Sequence, residues 1–130
     1  MKRAVLEHSE KSRRLNIVTS VCAEGCVVSV SGRIDSAGSI QLRRGLGAVL
    51  GGAPRVVLLD LRKLQHIASA GIATLVEFRQ ELAERGGTLR FVGANFRIRA
   101  LFEVLSPHQP FGFFPDEASA IRGEPRAGNP

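Results

Sequence analysis

The sequence of 130 residues contains no tryptophan, no tyrosine, two cysteines and three histidines. So few cysteines and histidines exclude both a disulfide framework and a zinc module. Phe is the only aromatic residue left for stacking on bases, and the seven Phe residues lie mostly in apolar patterns, which argues against nucleic acid binding. We therefore expect no metal, no cofactor and no direct contact with nucleic acid.

Long apolar runs are also missing. The longest, Val56–Leu59, stops at Asp60 and is far shorter than the roughly 18 residues that a membrane span needs. Charged residues interrupt the first segment before the apolar core of a signal peptide develops. We therefore expect a cytoplasmic protein without membrane insertion.

The chain carries 18 basic and 12 acidic residues, a formal net charge of +6. Residues 1–14 hold five basic and two acidic residues. We predict a basic flexible tail over residues 1–14, one domain over residues 15–122 and a disordered tail over residues 123–130. The positive charge favours a solvated surface, and after it an acidic protein partner, over nucleic acid.

Two segments rich in β-branched residues open the predicted domain. Leu15–Cys22 and Cys26–Ser31 predict a β-hairpin, with Ala23–Gly25 as a three-residue loop. In that register Cys22 and Cys26 face each other across the two strands. We interpret the two cysteines as small buried hydrophobic residues rather than a redox pair.

Helical and strand patterns then alternate along the chain. Helices are predicted from Asp35–Ser36 to Gly51–Gly52, from Ser69 to Gly86–Gly87, around Ile98–Leu105 and from Pro115 to Arg122, and strands over Arg55–Leu61, Thr88–Val92 and Phe111–Phe114. The strand over residues 55–61 is apolar on both faces, as in a parallel sheet covered by helices. This order predicts an α/β fold, a single domain with a mixed four- or five-stranded sheet and right-handed crossovers.

The segment His66–Ala73 joins the central strand to the second helix and carries an informative serine. Ser69 lies at or beside the helix N-cap, where a serine side chain commonly stabilises the first turn by about 1 kcal/mol. Small neighbours leave its hydroxyl uncovered, and a helix N-terminus favours a negative group. Two interpretations follow, a helix cap and a phosphoserine switch.

No enzyme site can be assembled from the other polar residues. His8, His66 and His108 stand apart, without a serine and a carboxylate in triad order. The glycines around Gly45 resemble a phosphate loop, but they lie inside a helical pattern and not directly after a strand. We expect no catalytic residues and no enzymatic activity.

Five segments in order carry a resemblance to a known family. They are Val28–Asp35, Val56–Leu61, Ile67–Ile72, Gly86–Leu89 and Ile98–Glu103. Together they resemble the STAS domain of bacterial anti-sigma factor antagonists, from about Leu15 to Arg122. The resemblance implies a small mixed sheet with helices packed mainly on one face.

The resemblance also implies a function in transcription regulation. In that family a serine kinase that is also an anti-sigma factor phosphorylates one serine, which by motif position is Ser69, and Asp35 matches an acidic residue near the acceptor. The unphosphorylated antagonist binds the kinase, the phosphorylated form releases it, and a phosphatase resets the cycle. The implied partner-binding residues are Asp35, Ser36, His66, Ala68, Ser69, Ala70, Gly71 and Ile72.

Two residues depart from the family pattern. Ala68 stands where the family has an acidic residue before the serine, and His66 replaces the usual aromatic residue. Two other functions therefore stay open: a STAS subunit that binds the ATPase of a lipid-trafficking ABC transporter, and a scaffold without phosphorylation. The oligomeric state, including a homodimer, also stays open.

Overall fold

The computed structural model of the protein describes residues 4–7, 15–22, 25–107 and 111–123. In chain order its elements are β1 (Ala4–Glu7), β2 (Leu15–Cys22), β3 (Gly25–Ile34), α1 (Ser36–Gly51), β4 (Val56–Asp60), β5 (Leu64–Ile67), α2 (Ser69–Glu84), β6 (Thr88–Val92), α3 (Phe96–Leu105), β7 (Gly112–Phe114) and α4 (Glu117–Arg122). His8, His108 and the part of the predicted tail beyond Gly123 lie outside the described residues.

The strands form one mixed sheet in the order β1-β2-β3-β4-β6-β7, and β5 pairs with the end of β3. Strand β2 pairs antiparallel with β1 and with β3, whereas β3, β4, β6 and β7 run parallel to one another. The predicted α/β fold with a mixed sheet is therefore confirmed. The sheet is larger than predicted because two short strands, β1 and β5, join it.

One face of the sheet carries the main core. Alternation along the strands turns Val28 of β3, Leu59 of β4 and Phe91 of β6 to the same side, where all three are fully buried. Helices α1, α2 and α3 cover this side. Their buried side chains include Leu42, Leu75 and Phe102.

The opposite face is covered by α4 alone among the described helices. Ala120 of α4 packs against Val27, Leu58 and Val92 in a second, smaller cluster. The predicted placement of the helices mainly on one face is thus confirmed. None of the helices in the described ranges has the length and apolar character needed to cross a membrane.

The β2–β3 hairpin differs from the prediction in its register. Val21 lies opposite Cys26, and Cys22 lies opposite Gly25, so the two cysteines are not cross-strand partners. The loop has two residues rather than three because Gly25 already belongs to β3. Its φ of 153° and its packing, in which a Cβ would collide with the carbonyl oxygen of Val56, require glycine there.

The predicted tail over residues 1–14 also needs a correction. Ala4–Glu7 forms β1, which pairs antiparallel with residues Val18–Val21 of β2. Pairing with the edge of the sheet satisfies backbone N–H and C=O groups, which gives this segment a defined conformation. The other residues of this predicted tail lie outside the described ranges.

Candidate functional site

The carboxyl ends of β3 and β5 lie side by side and carry the predicted site residues. Ile34 and Ile67 pair across the two parallel strands, and the N–H of Ala68 donates to the carbonyl of Ile34 over 2.7 Å. Each strand passes directly into a helix, β3 into α1 and β5 into α2. We call the two helix starts, residues 35–38 and 68–71, the carboxyl edge.

The start of α1 is closed by a side-chain cap. Asp35 is the N-cap, and one of its carboxylate oxygens accepts the N–H of Gly38 over 2.7 Å. Its main-chain carbonyl accepts the N–H of Ser39 over 2.9 Å. These two hydrogen bonds cap α1 and hold the Asp35 carboxylate at the carboxyl edge.

The start of α2 has no such cap. Ala68 occupies the N-cap position and offers no side-chain oxygen. The N–H of Gly71, which corresponds to that of Gly38 in α1, donates to the main-chain carbonyl of Ala68 over 2.9 Å. Ser69 is the first helical residue, and its exposed hydroxyl makes no hydrogen bond with the residues that the structure describes. The interpretation of Ser69 as a helix cap is therefore wrong.

Two residues that follow Ser69, Gly71 and Ile72, are buried beneath the carboxyl edge. A Cβ on Gly71 would lie 2.8 Å from side-chain carbons of both Ile34 and Ile67, so glycine allows α2 to approach the strands closely. Ile72 is 2% exposed and belongs to the main core. Gly71 and Ile72 therefore pack beneath the surface of the edge, and their contact with a partner stays a prediction.

The remaining predicted residues lie at or near this edge. Ser36 and Ser69 are exposed, and Asp35, Ala68 and Ala70 are half-buried beside them. His66 lies further down the sheet, where it pairs with Arg33 across β3 and β5 and is half-buried. The structure thus groups the two serines, the Asp35 carboxylate and small side chains at one edge.

A charged pair, Asp60 and Arg62, lies at the carboxyl end of the neighbouring strand β4. Sequence analysis did not identify it. Asp60 is 9% exposed, and Arg62 donates to its carboxylate from Nη2 over 2.6 Å and from Nε over 3.0 Å. The side chain of Arg62 also lies 3.8 Å from the carboxylate of Glu117 in α4. An Asp that ends an apolar strand, with an Arg two residues later, is the sequence signal that could have revealed this pair.

Electrostatics keep Asp60 ionised within this pair. Burial alone would raise the pKa of the Asp60 carboxyl. Hydrogen bonds from the side chain and the main-chain N–H of Arg62, together with its positive charge, outweigh burial and hold the pKa below its ordinary value of 3.8. The pair links β4 to α4 and is a structural element of this end of the sheet.

The chemistry available at the carboxyl edge centres on the Ser69 hydroxyl. The first turn of α2 contains no acidic residue, and its leading N–H groups form the positive end of the helix dipole. A phosphoryl group on Ser69 Oγ would add negative charge where the helix tolerates it. The same charge would alter any protein contact that covers this edge.

Comparison with known proteins identifies the family to which the chain belongs. A sequence model described as the STAS domain matches residues 14–120 of the chain. A Bordetella bronchiseptica protein named as an anti-sigma factor antagonist, BtrV, is 30% identical over 78 residues, which cover 60% of this chain and 67% of that protein.

Solved structures share the fold. An anti-sigma factor antagonist from Mycobacterium paratuberculosis matches with a TM-score of 0.75 at 23% identity, covering 84% of this chain and 92% of the other. The Bacillus cell fate determinant SpoIIAA in its phosphorylated form matches with a TM-score of 0.63 at 18% identity, covering 85% of this chain and 99% of the other. At these identities the likeness establishes the fold.

Proposed function

The chain belongs to the STAS domain family, and from that premise we propose that it is an anti-sigma factor antagonist controlled by phosphorylation. In the proposed cycle the unphosphorylated chain binds and sequesters an anti-sigma factor that is also a serine kinase. Phosphorylation of Ser69 by that kinase releases the chain, and a phosphatase removes the phosphate. The chain is a phosphate acceptor without turnover of its own.

The main observation in support of this proposal is the exposed hydroxyl of Ser69. A serine at a helix start usually accepts a hydrogen bond from the first turn, which occupies its side chain. Here Ala68 is the N-cap and Ser69 is the first helical residue, so the Ser69 hydroxyl does not cap the helix. It is therefore available to an enzyme without any change in the helix.

The shape of the carboxyl edge supports a protein contact that phosphate can disrupt. Ala37, Ala68 and Ala70 present small side chains beside the serines, so a partner surface can approach the helix starts closely. A phosphate group of nearly two negative charges at Ser69 would then be buried in the contact. Forcing such a charge into a packed interface costs several kcal/mol, enough to release the partner.

Affinity capture of the tagged chain from its native host, followed by mass spectrometry of chain and partner, tests the proposal. We expect the partner to be a serine kinase and part of the chain to carry phosphate on Ser69. The Ser69→Ala variant should retain the kinase and lose that phosphate. The Ser106→Ala variant, altered at the far end of α3, is the matched control and should keep both.

Two outcomes would overturn the proposed cycle. Capture of an ABC-transporter ATPase with an unmodified chain would assign the protein to the transporter class. Capture of a kinase that leaves Ser69 unmodified after incubation with ATP would remove Ser69 as the switch and favour a scaffold.

A further inference from the structure

The outer face of α3 carries an apolar stripe. Phe96, Ala100 and Val104 follow one another at intervals of four residues, so they form one row along the helix. All three are exposed, and among the residues that the structure describes Phe96 (80%) and Val104 (75%) are the most exposed large hydrophobic side chains. The buried residues of α3, Ile98 and Phe102, lie on the opposite side of the helix. We call Phe96, Ala100 and Val104 the α3 stripe.

The α3 stripe differs from the other exposed hydrophobic side chains in the described ranges. Val21, Ile40 and Ile121 are exposed singly, on β2, α1 and α4. Single exposed hydrophobic residues are ordinary on a protein surface. A row of apolar side chains on the outer face of one helix is instead the pattern of a helix that packs against a second protein surface.

Two opposite charges flank the α3 stripe. Arg97 and Glu103 lie three residues before and three residues after Ala100, which places them on opposite sides of the stripe and level with its centre. Both side chains are exposed, and neither forms an ion pair with another residue of the described ranges. One charge of each sign gives this surface no preference for a strongly acidic or a strongly basic partner.

This pattern of charges is complementary to itself. A two-fold axis that runs along the stripe exchanges its two sides, so Arg97 of each copy lies opposite Glu103 of the other copy. The two helices then cross at about 50°, the commonest angle for rows of residues spaced by four. Ala100 lies at the crossing point, where its small side chain allows close approach. An axis perpendicular to the stripe would instead place Arg97 opposite Arg97, which like-charge repulsion disfavours.

We propose that the chain forms a symmetric homodimer through α3. The α3 stripe is buried at the centre of the interface, and an ion pair between Arg97 and Glu103 lies at the rim on each side. One helix face from each copy makes a small interface, so the association is weak and reversible. The apolar stripe supplies the affinity, and the charges select the orientation of the two helices.

Sedimentation equilibrium of the purified chain tests the inference over about 10 μM to about 1 mM, the range in which small interfaces saturate. We expect the average mass to rise with concentration from that of one chain towards that of two. Phe96→Asp, which puts a charge into the stripe, should raise the dissociation constant at least about tenfold. Ile40→Asp adds the same charge at an exposed isoleucine of α1; it is the matched control and should leave association unchanged.

Charge exchange tests the orientation of the two copies. Arg97→Glu and Glu103→Arg each place like charges opposite one another and should each weaken association about fivefold at low salt. The double variant restores opposite charges and should associate like the wild type. An equimolar mixture of the two single variants should associate more strongly than either alone, because every facing pair is then of opposite sign. Far-UV circular dichroism checks that all variants keep the helix content of the wild type.

Three results would contradict the proposal. A wild type that stays monomeric over the whole concentration range would overturn it, and a loss of affinity for the captured kinase in Phe96→Asp would then assign the α3 stripe to that partner. A dimer that Phe96→Asp does not weaken would place the interface elsewhere on the chain. A double charge variant that associates no better than the single variants would overturn the two-fold arrangement along the stripe.

Discussion

Helices α1 and α2 begin with the same Ser-Ala-Gly sequence, but the glycine N–H group donates to a different kind of acceptor in each. In α1 the N–H of Gly38 donates to the carboxylate of Asp35, whereas in α2 the N–H of Gly71 donates to the main-chain carbonyl of Ala68. One helix start supplies its own negative group, and the other has none. Positions that depart from local rules of helix design are often functional, and the uncapped start of α2 is such a position.

The largest expected effect comes from placing a negative charge at the uncapped start. The Ser69→Asp variant should bind the proposed kinase partner about a hundredfold more weakly, because the new carboxylate loses its water in the packed contact. Ser69→Ala should bind like the wild type, since it removes only a hydroxyl. Isothermal titration calorimetry with the captured kinase measures both affinities.

A matched control places the same charge elsewhere on α2. Gln80 is exposed and lies eleven residues beyond Ser69, or roughly 16 Å along the helix. The Gln80→Glu variant should therefore bind with unchanged affinity. Equal affinities for Ser69→Asp and Ser69→Ala would show that the partner does not cover this helix start.

The next effect concerns Gly38 and Gly71, the glycines of the Ser-Ala-Gly sequence that the two helix starts share. Gly71→Ala should destabilise the fold by roughly 1–3 kcal/mol, because the added methyl group would lie 2.8 Å from carbons of two buried isoleucines. Gly38→Ala should change the free energy of unfolding by less than about 1 kcal/mol, since its nearest neighbours are at 3.2 and 3.3 Å and alanine favours the helix. Urea unfolding of both variants makes the comparison, and equal losses would contradict it.

Most of the fold could be predicted from the sequence because long buried faces impose periodic patterns. The strand β5 escaped prediction because it has four residues, too few to show alternation. The hairpin register also escaped, since it depends on Gly25 packing against Val56, which is distant in sequence. Prediction worked where local pattern and tertiary packing agree, and it failed where packing alone decides.

The candidate site could be predicted only in part. Ser69 was identified from its small neighbours and its place before a helix. Whether its hydroxyl caps α2 depends on which residue is the N-cap, and a shift of the helix start by one position changes that residue. The burial of Ile72 follows from the turn of the helix, which directs its side chain towards the core.

Exchanging the caps would reverse the comparison between the two helices. Asp35→Ala should destabilise the protein by about 1 kcal/mol, because the N–H of Gly38 loses its side-chain acceptor. Ala68→Asp should stabilise it by up to about 1 kcal/mol, because the new carboxylate can cap α2. Chemical unfolding of the two single variants and of the double variant measures the effect, with the double variant close to the wild type. A destabilising Ala68→Asp would show that the start of α2 cannot accept a cap.

The smallest effect comes from the ion pair that connects the two helices along their exposed sides. Both guanidinium Nη atoms of Arg43 in α1 donate to the carboxylate of Glu77 in α2, over 3.0 and 2.9 Å. These hydrogen bonds and the positive charge of Arg43 lower the pKa of the Glu77 carboxyl from its ordinary value of 4.5. Because the pKa is lower in the folded state, the pair stabilises the fold above pH 4.5, and this contribution disappears as the pH falls through the lowered pKa.

A small difference in melting temperature between the wild type and Glu77→Gln should therefore be present at pH 7 and absent in strong acid. Since water and salt screen exposed pairs, the difference should also shrink as salt is added. Glu84→Gln, altered at another exposed carboxylate of α2, is the matched control for the loss of one negative charge. A difference for Glu77→Gln that persists in acid would mean that the glutamine perturbs the packing of α1 on α2 and does more than remove the ion pair.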